Sequence, residues 1–169
     1  MWKSKMVFAM LCLMFLCGGC ESAELEQRGF PLAVGIDLQE TAKKEEVEKM
    51  LVVSFDFPDL AQISEKGKTM DTPMGMSLEG SNLYHVEKSY ENNTNRLLDF
   101  NHIKAMVLGE SLISDKKSLR NLLLNLEHEE NSARNITLFV AGSSAAEILS
   151  LTEETEGSMG TYLEELLES

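Results

Sequence analysis

"HIKAMVLGESLISDKKSLRNLLLNLEHEENSARNITLFVAG" runs from His102 to Gly142, and its reading decides the fold class. In the segment His102 to Glu110, Ile103, Ala105 and Val107 alternate with Lys104, Met106 and Leu108. Both alternating sets are mostly apolar, which predicts a central strand buried on its two faces. Ser114 then offers a helix N-cap with Asp115 in the first turn, and Leu119, Leu122, Leu123 and Leu126 fall at i, i+3, i+4 and i+7. That spacing predicts an amphipathic helix with the four leucines on its buried stripe. "NITLFVAG", Asn135 to Gly142, follows as a strand. Strand, helix and strand in succession predict a right-handed parallel crossover.

Upstream, "PLAVGIDL" from Pro31 to Leu38 predicts another buried strand. "MLVVSFDF" from Met50 to Phe57 predicts a strand with Leu51, Val53, Phe55 and Phe57 on one face. Between them the charged stretch Thr41 to Lys49 suits either a hairpin loop or a short helix. Pro58 to Ser81 is rich in turn formers and predicts a loop with at most one short edge strand. "NLYHVEKSYENNTNRLL", from Asn82, has helical character interrupted at "ENNTN", residue types that disfavour helix interiors. Downstream, Ser144 to Glu147 and Thr161 to Glu164 have capping-box spacing ahead of leucine-rich turns, so the chain is expected to end helical. The fold class that follows is α/β (α+β): a mixed β-sheet with packed helices in a single domain, residues 31–169.

The amino-terminal end has a different logic. Lys3 and Lys5 precede an apolar run from Met6 to Cys17, which is short of the roughly 20 residues that span a bilayer. All three cysteines, Cys12, Cys17 and Cys20, lie in or beside this run, so they are not a disulfide framework for the domain. Gly18-Gly19 directly before Cys20 is the order of a bacterial lipobox, with Cys17 at the place where leucine is usual. Residues 1–19 are therefore expected to be a lipoprotein signal peptide, Cys20 the lipidated residue, and 20–30 a lipidated tether. A plain signal peptide or an uncleaved short anchor is the alternative, and it leaves Gly-Gly-Cys without a role.

The chain carries 15 basic against 28 acidic side chains, a formal charge of −13, and the signal segment contributes two of those lysines and no acid. Such a surface excludes nucleic acid as a partner and disfavours peripheral electrostatic attachment to anionic lipid. Attachment would rest on the lipid itself, and two acyl chains suffice. His85, His102 and His128 have no second ligand at i+3 or i+4, so no metal or cofactor is expected. Asp37, Asp56 and Asp59 stand at or after strand ends, where an acid can hold a cation or act as a base but more commonly serves turn chemistry. The Ser143-Ser144 pair is best explained as a helix cap, and the chain contains no phosphate-binding glycine loop and no nucleophile elbow. No catalytic residue is assigned, and the protein is not expected to be an enzyme.

The order of these elements resembles the Ger(x)C spore-germination lipoproteins, in their amino-terminal domain. "ESAELEQRGFPLAVGIDL" after Cys20 is similar to the family's opening through Ala23-Glu24-Leu25-Glu26 and Gly35-Ile36-Asp37, although Glu21-Ser22 stands where Trp-Asp is usual. "FNHIKAMVLGESL" matches its F-x-H-x-K-x-x-x-x-G-E segment through Phe100, His102, Lys104, Gly109 and Glu110. "NITLFVAGSSAAEILS" resembles the strand and helix that come next, whereas the usual Arg-rich stretch is "LEHEENSARN" here, with Arg134 its only basic residue besides a histidine. Family members continue into further domains. The resemblance implies a non-catalytic, lipid-anchored subunit of a nutrient germinant receptor on the extracytoplasmic face of the spore inner membrane, with membrane subunits of the receptor as partners and no cofactor. An extracytoplasmic small-solute-binding lipoprotein is the main alternative, and a lipid-anchored hydrolase a second.

Overall fold

The computed structural model describes residues 27–43, 46–58, 76–128, 135–151 and 158–168. Cys12, Cys17, Cys20, Asp59 and Arg134 lie outside the described residues, as does the side chain of His128. The protein is an α+β domain built on a mixed five-stranded sheet, β4-β3-β2-β6-β7. Its elements in order are β1 (Arg28–Gly29), β2 (Ala33–Lys43), β3 (Glu46–Asp56), β4 (Ser77–Gly80), α1 (Leu83–Thr94), β5 (Leu97–Leu98), β6 (Ala105–Leu108), α2 (Glu110–Ser114), α3 (Lys116–His128), β7 (Thr137–Val140), α4 (Ala145–Ser150) and α5 (Met159–Glu168). β1 and β5 form a separate parallel pair.

β2 and β3 pair antiparallel from Ala33↔Asp56 to Lys43↔Glu46, so of the two readings of residues 41–49 the hairpin holds and the short helix does not, with the ladder running on into the charged stretch. β6 lies parallel to β2 on one side and to β7 on the other, the parallel crossover expected of the central segment. β4 is the short edge strand within the turn-rich stretch.

Because strand side chains alternate, the sheet has two distinct faces. Val34, Ile36, Leu51, Val53, Phe55, Met106 and Leu108 form the larger core beneath α1 and α3, together with Val86, Tyr90, Leu112 and Leu122. The opposite face is made of smaller groups, Ala33, Ala105 and Val107, against Ala141, Ala145, Leu149, Met159 and Leu163. Small residues there let α4 approach β2 closely. A Cβ on Gly35 would stand 3.1 Å from the Ala145 backbone and 3.0 Å from Leu149.

Several expected boundaries move, each for a local reason. The strand at 102–110 contracts to β6 because Phe100–His102 is a 3-10 turn, capped by Asp99 through the Asn101 N–H at 3.0 Å, and Glu110 already begins α2. Ser114 ends α2, and Asp115 instead caps α3 by accepting from Ser118 N–H at 2.8 Å. Of the four leucines expected on the buried stripe of α3, Leu122 is buried and Leu119 and Leu126 pack on the core, but Leu123 is 40% exposed. Helix α1 runs through most of "ENNTN" and stops at Asn95, whose φ of 54° is the left-handed conformation asparagine tolerates. Thr161 lies inside α5, and Ser158 is the residue that accepts from its N–H, at 3.2 Å.

Candidate functional site

The middle of β2, just past its pairing with β6, meets the carboxyl end of β6 and the amino end of α4 around one carboxylate. Asp37 accepts from Ser144 Oγ at 2.8 Å, from Ala145 N–H at 3.0 Å and from Ala146 N–H at 3.1 Å. The first N–H groups of a helix have no partner within it, and a carboxylate there also complements the helix dipole. Ser144, the N-cap expected from sequence, reinforces the arrangement by accepting from Ala146 N–H at 3.2 Å. Gly109 makes room for it: a Cβ at that position would fall on the Asp37 carboxylate. Around this junction Gly109 N–H donates to the Ile36 carbonyl at 2.9 Å, Glu110 N–H to the Ser143 carbonyl at 3.0 Å, and Ser111 Oγ accepts from Leu38 N–H at 2.9 Å. All the oxygens of Asp37 are thus engaged by its own chain, which makes it a structural cap and not an acid poised for chemistry.

Asp56 repeats the device on β3. It is buried, and it accepts from Gly160 N–H at 2.8 Å, with further hydrogen bonds from Met159 N–H and the Ser158 hydroxyl. Burial nevertheless pushes its carboxyl above the ordinary value, because desolvation of the charge outweighs those three donors. Two strand aspartates therefore each hold one helix, α4 or α5, onto the small-residue face of the sheet. Asp56 is the last residue of β3, whereas Asp37 lies in the interior of β2 and not at the strand end expected from sequence, because the ladder with β3 carries β2 on to Lys43.

The residues at the other end of β6 are surface groups. Lys104 pairs with Glu164 on α5 at 3.0 Å, and His102 is exposed with its ring edge-on to Phe30 at 5.1 Å between centroids. Phe100 packs on the main core, and Ile103 is buried. Arg28 reaches Asp99 at 2.9 Å. Burial opposes the charge on Asp99, but hydrogen bonds from Asn101 N–H and Arg28 together outweigh it and hold the carboxyl below its usual range. His85 contacts Ser81 Oγ at 2.6 Å and lies on α1, apart from His102. Among the described residues no three His, Cys, Asp or Glu side chains group as metal ligands. An apolar crevice between α1 and α3, lined by Val34, Val53, Tyr84, Phe100, Met106 and Ile136, has a volume of about 20 Å³. That is room for one water, against the several hundred Å³ of a typical ligand pocket.

The side chains singled out in the sequence thus converge as a scaffold. Gly35, Asp37, Gly109 and Glu110 come together, while His102 and Lys104 stand at the opposite end of the same strand. A family model for the spore germination protein N-terminal domain matches residues 21–169. The chain belongs to that family. Its role lies in spore germination. No curated protein and no solved structure is detectably similar to it. Sequence reasoning assigned the spore germination domain its motif residues without their reason, and it missed Asp99 and Ser158 as caps. Asp99, directly before Phe100-Asn101, and Ser158, three before Thr161, carry the ordinary N-cap signal in retrospect.

Proposed function

We propose that this domain is a non-catalytic, lipid-anchored subunit of a spore nutrient germinant receptor, held at the extracytoplasmic face of the spore inner membrane by Cys20. The observation that carries the reading is the family match from residue 21, which begins directly after Gly18-Gly19-Cys20. The signal segment 1–19 would be removed and residues 20–30 would tether the domain. Its partners would be the membrane subunits of the receptor, and its work would be to assemble that complex or pass on its signal.

Two features support a protein-contact role. Asp37, the acid of the family-like Gly35-Ile36-Asp37 segment, spends both carboxylate oxygens inside the domain. A lipid tether raises the effective concentration of a weak partner at the membrane, so a modest interface is sufficient. Among the described residues no helix is long and apolar enough to cross a membrane. The test is fractionation of spores carrying Cys20→Ala, with mass spectrometry of the wild-type mature amino terminus. The reading expects a diacylglyceryl Cys20 at that terminus and loss of membrane retention in the variant. An unmodified Cys20, or cleavage elsewhere, would overturn the anchor.

A further inference from the structure

Helix α3 turns one amphipathic face outward. Lys116, Leu119, Arg120, Leu123, Leu124 and Glu127 line a shallow open depression along it. Leu123 and Leu124 are 40% and 42% exposed at its centre. These positions follow the i, i+3, i+4, i+7, i+8, i+11 series, the stripe one helix offers to another. Charge is ordered along the stripe: Lys116 and Arg120 lie before the exposed Leu123 and Leu124, and Glu127 follows them. None of these three charged residues has an ion pair among the described residues.

A basic half, an apolar centre and an acidic half form a pattern that complements itself on reversal. We propose that α3 docks antiparallel onto α3 of a second copy of this chain, about a two-fold axis passing between Leu123 and Leu124. Reversal about that point sets Leu123 of one copy opposite Leu124 of the other. It also sets Arg120 opposite Glu127, and the two-fold makes that pair twice, as an isologous interface requires. Guanidinium and carboxylate pair through two parallel hydrogen bonds, and desolvated leucines inside a charged rim follow the usual division of an interface.

Other occupants answer only half of the stripe. An acidic helix from a different protein would satisfy Arg120 and leave Glu127 against like charge. An anionic bilayer would repel both Glu127 and a chain of net charge −13. The stripe is about 16 Å long, from the helical rise of 1.5 Å per residue. A single pair of helices therefore buries less than the roughly 1,000 Å² of a stable interface, and the dimer is weak and reversible, favoured where copies share one membrane.

Sedimentation equilibrium of the full chain in a neutral detergent, across a wide protein concentration range, tests this with three variants. Arg120→Glu alone and Glu127→Arg alone should each weaken dimerisation by about tenfold, since each replaces two attractions by two repulsions. The double swap, Arg120→Glu with Glu127→Arg, should restore the wild-type constant to within about threefold. Restoration cannot come from association through the apolar leader, which all variants share. Both positions are exposed, and a native circular-dichroism spectrum confirms each variant is folded. The proposal is overturned if the single reversals leave dimerisation unchanged, or if the double swap stays as weak as the singles. It is equally overturned if Glu127→Arg leaves self-association intact and instead tightens binding to phosphatidylglycerol vesicles, which would make a bilayer the occupant.

Discussion

Replacing Asp37 by alanine should destabilise the domain by about 2 to 4 kcal/mol. The carboxylate accepts from Ser144 Oγ, Ala145 N–H and Ala146 N–H, at 2.8, 3.0 and 3.1 Å. These losses are unequal. Ala146 N–H retains Ser144 Oγ at 3.2 Å, and Ser144 Oγ is itself only partly buried. Ala145 is fully buried, and among the described residues its N–H has no other acceptor once the carboxylate is gone. An orphaned buried donor costs about 1 to 3 kcal/mol, and loss of the cap as a whole about 0.5 to 2 kcal/mol. Asp37→Asn retains one acceptor oxygen and should lose about half as much. Urea unfolding followed by circular dichroism on the full chain measures both variants, and for a domain of this size the alanine variant should melt about 5 to 15 °C lower. Gly109→Ala supplies the cross-check, because its Cβ collides with the Asp37 carboxylate that Asp37→Ala removes. The double variant should therefore be at least about 1 kcal/mol more stable than the sum of the singles implies. If Asp37→Ala lies within about 0.5 kcal/mol of wild type, the carboxylate is not holding α4 to the sheet and the reasoning fails.

Leu122→Ala should cost about 2 to 5 kcal/mol and Leu123→Ala well under 1 kcal/mol, since only the first is buried in the core; equal losses in urea titrations would contradict the placement of α3. Burial raises the folded-state pKa of Asp56, so the folded protein favours its neutral form more than the unfolded chain does. The stability advantage of that neutral form is complete below the unfolded pKa and is lost as pH rises through the raised folded value. Asp56→Asn should accordingly flatten the decline in stability across that window, and a variant with the wild-type pH profile would exclude Asp56 as its source. Lys104→Ala removes only the exposed pair with Glu164 and should change the melting temperature by no more than about 2 °C, a bound that differential scanning calorimetry checks.

The parts of the fold that were legible in sequence are those governed by periodicity. The alternation in Ala105 to Leu108 and the leucine spacing around Leu122 report burial directly, and the order of β6, α3 and β7 follows from them. Boundaries were harder, because Ser114 and Asp115 are both good N-caps and only the chain path through α2 selects Asp115. Leu123 shows the limit of pattern. Four leucines at helical spacing span a stripe wider than the neighbouring sheet covers, so one is left in solvent. Asp56 was legible as a strand-end acid and Asp37 was expected to be one but lies inside β2, and their partners are 108 residues from Asp37 and 104 from Asp56. No local signal identifies a helix amino terminus at that separation, and none tells that Gly109 is small because a carboxylate occupies its side-chain space.

The charge distribution also has a bearing on where the domain works. A chain of net charge −13 gains nothing electrostatically from an anionic membrane surface, which is the reason the proposal rests on a lipid anchor and on bound subunits. A domain whose Gly35, Gly109, Asp37 and Asp56 are consumed by packing and internal hydrogen bonds is suited to present a rigid outer surface. On this account the exposed α3 stripe is where a neighbour would dock.

The central claim is that this germination-family domain acts through protein contacts at the spore membrane. In-situ crosslinking of intact spores, followed by isolation of the full chain and mass spectrometry of what is attached, tests it most directly. The account predicts crosslinks to membrane-embedded subunits of a germinant receptor, lost on Cys20→Ala although the domain remains folded. Recovery of the chain from wild-type spore membranes with no receptor subunit attached would contradict it.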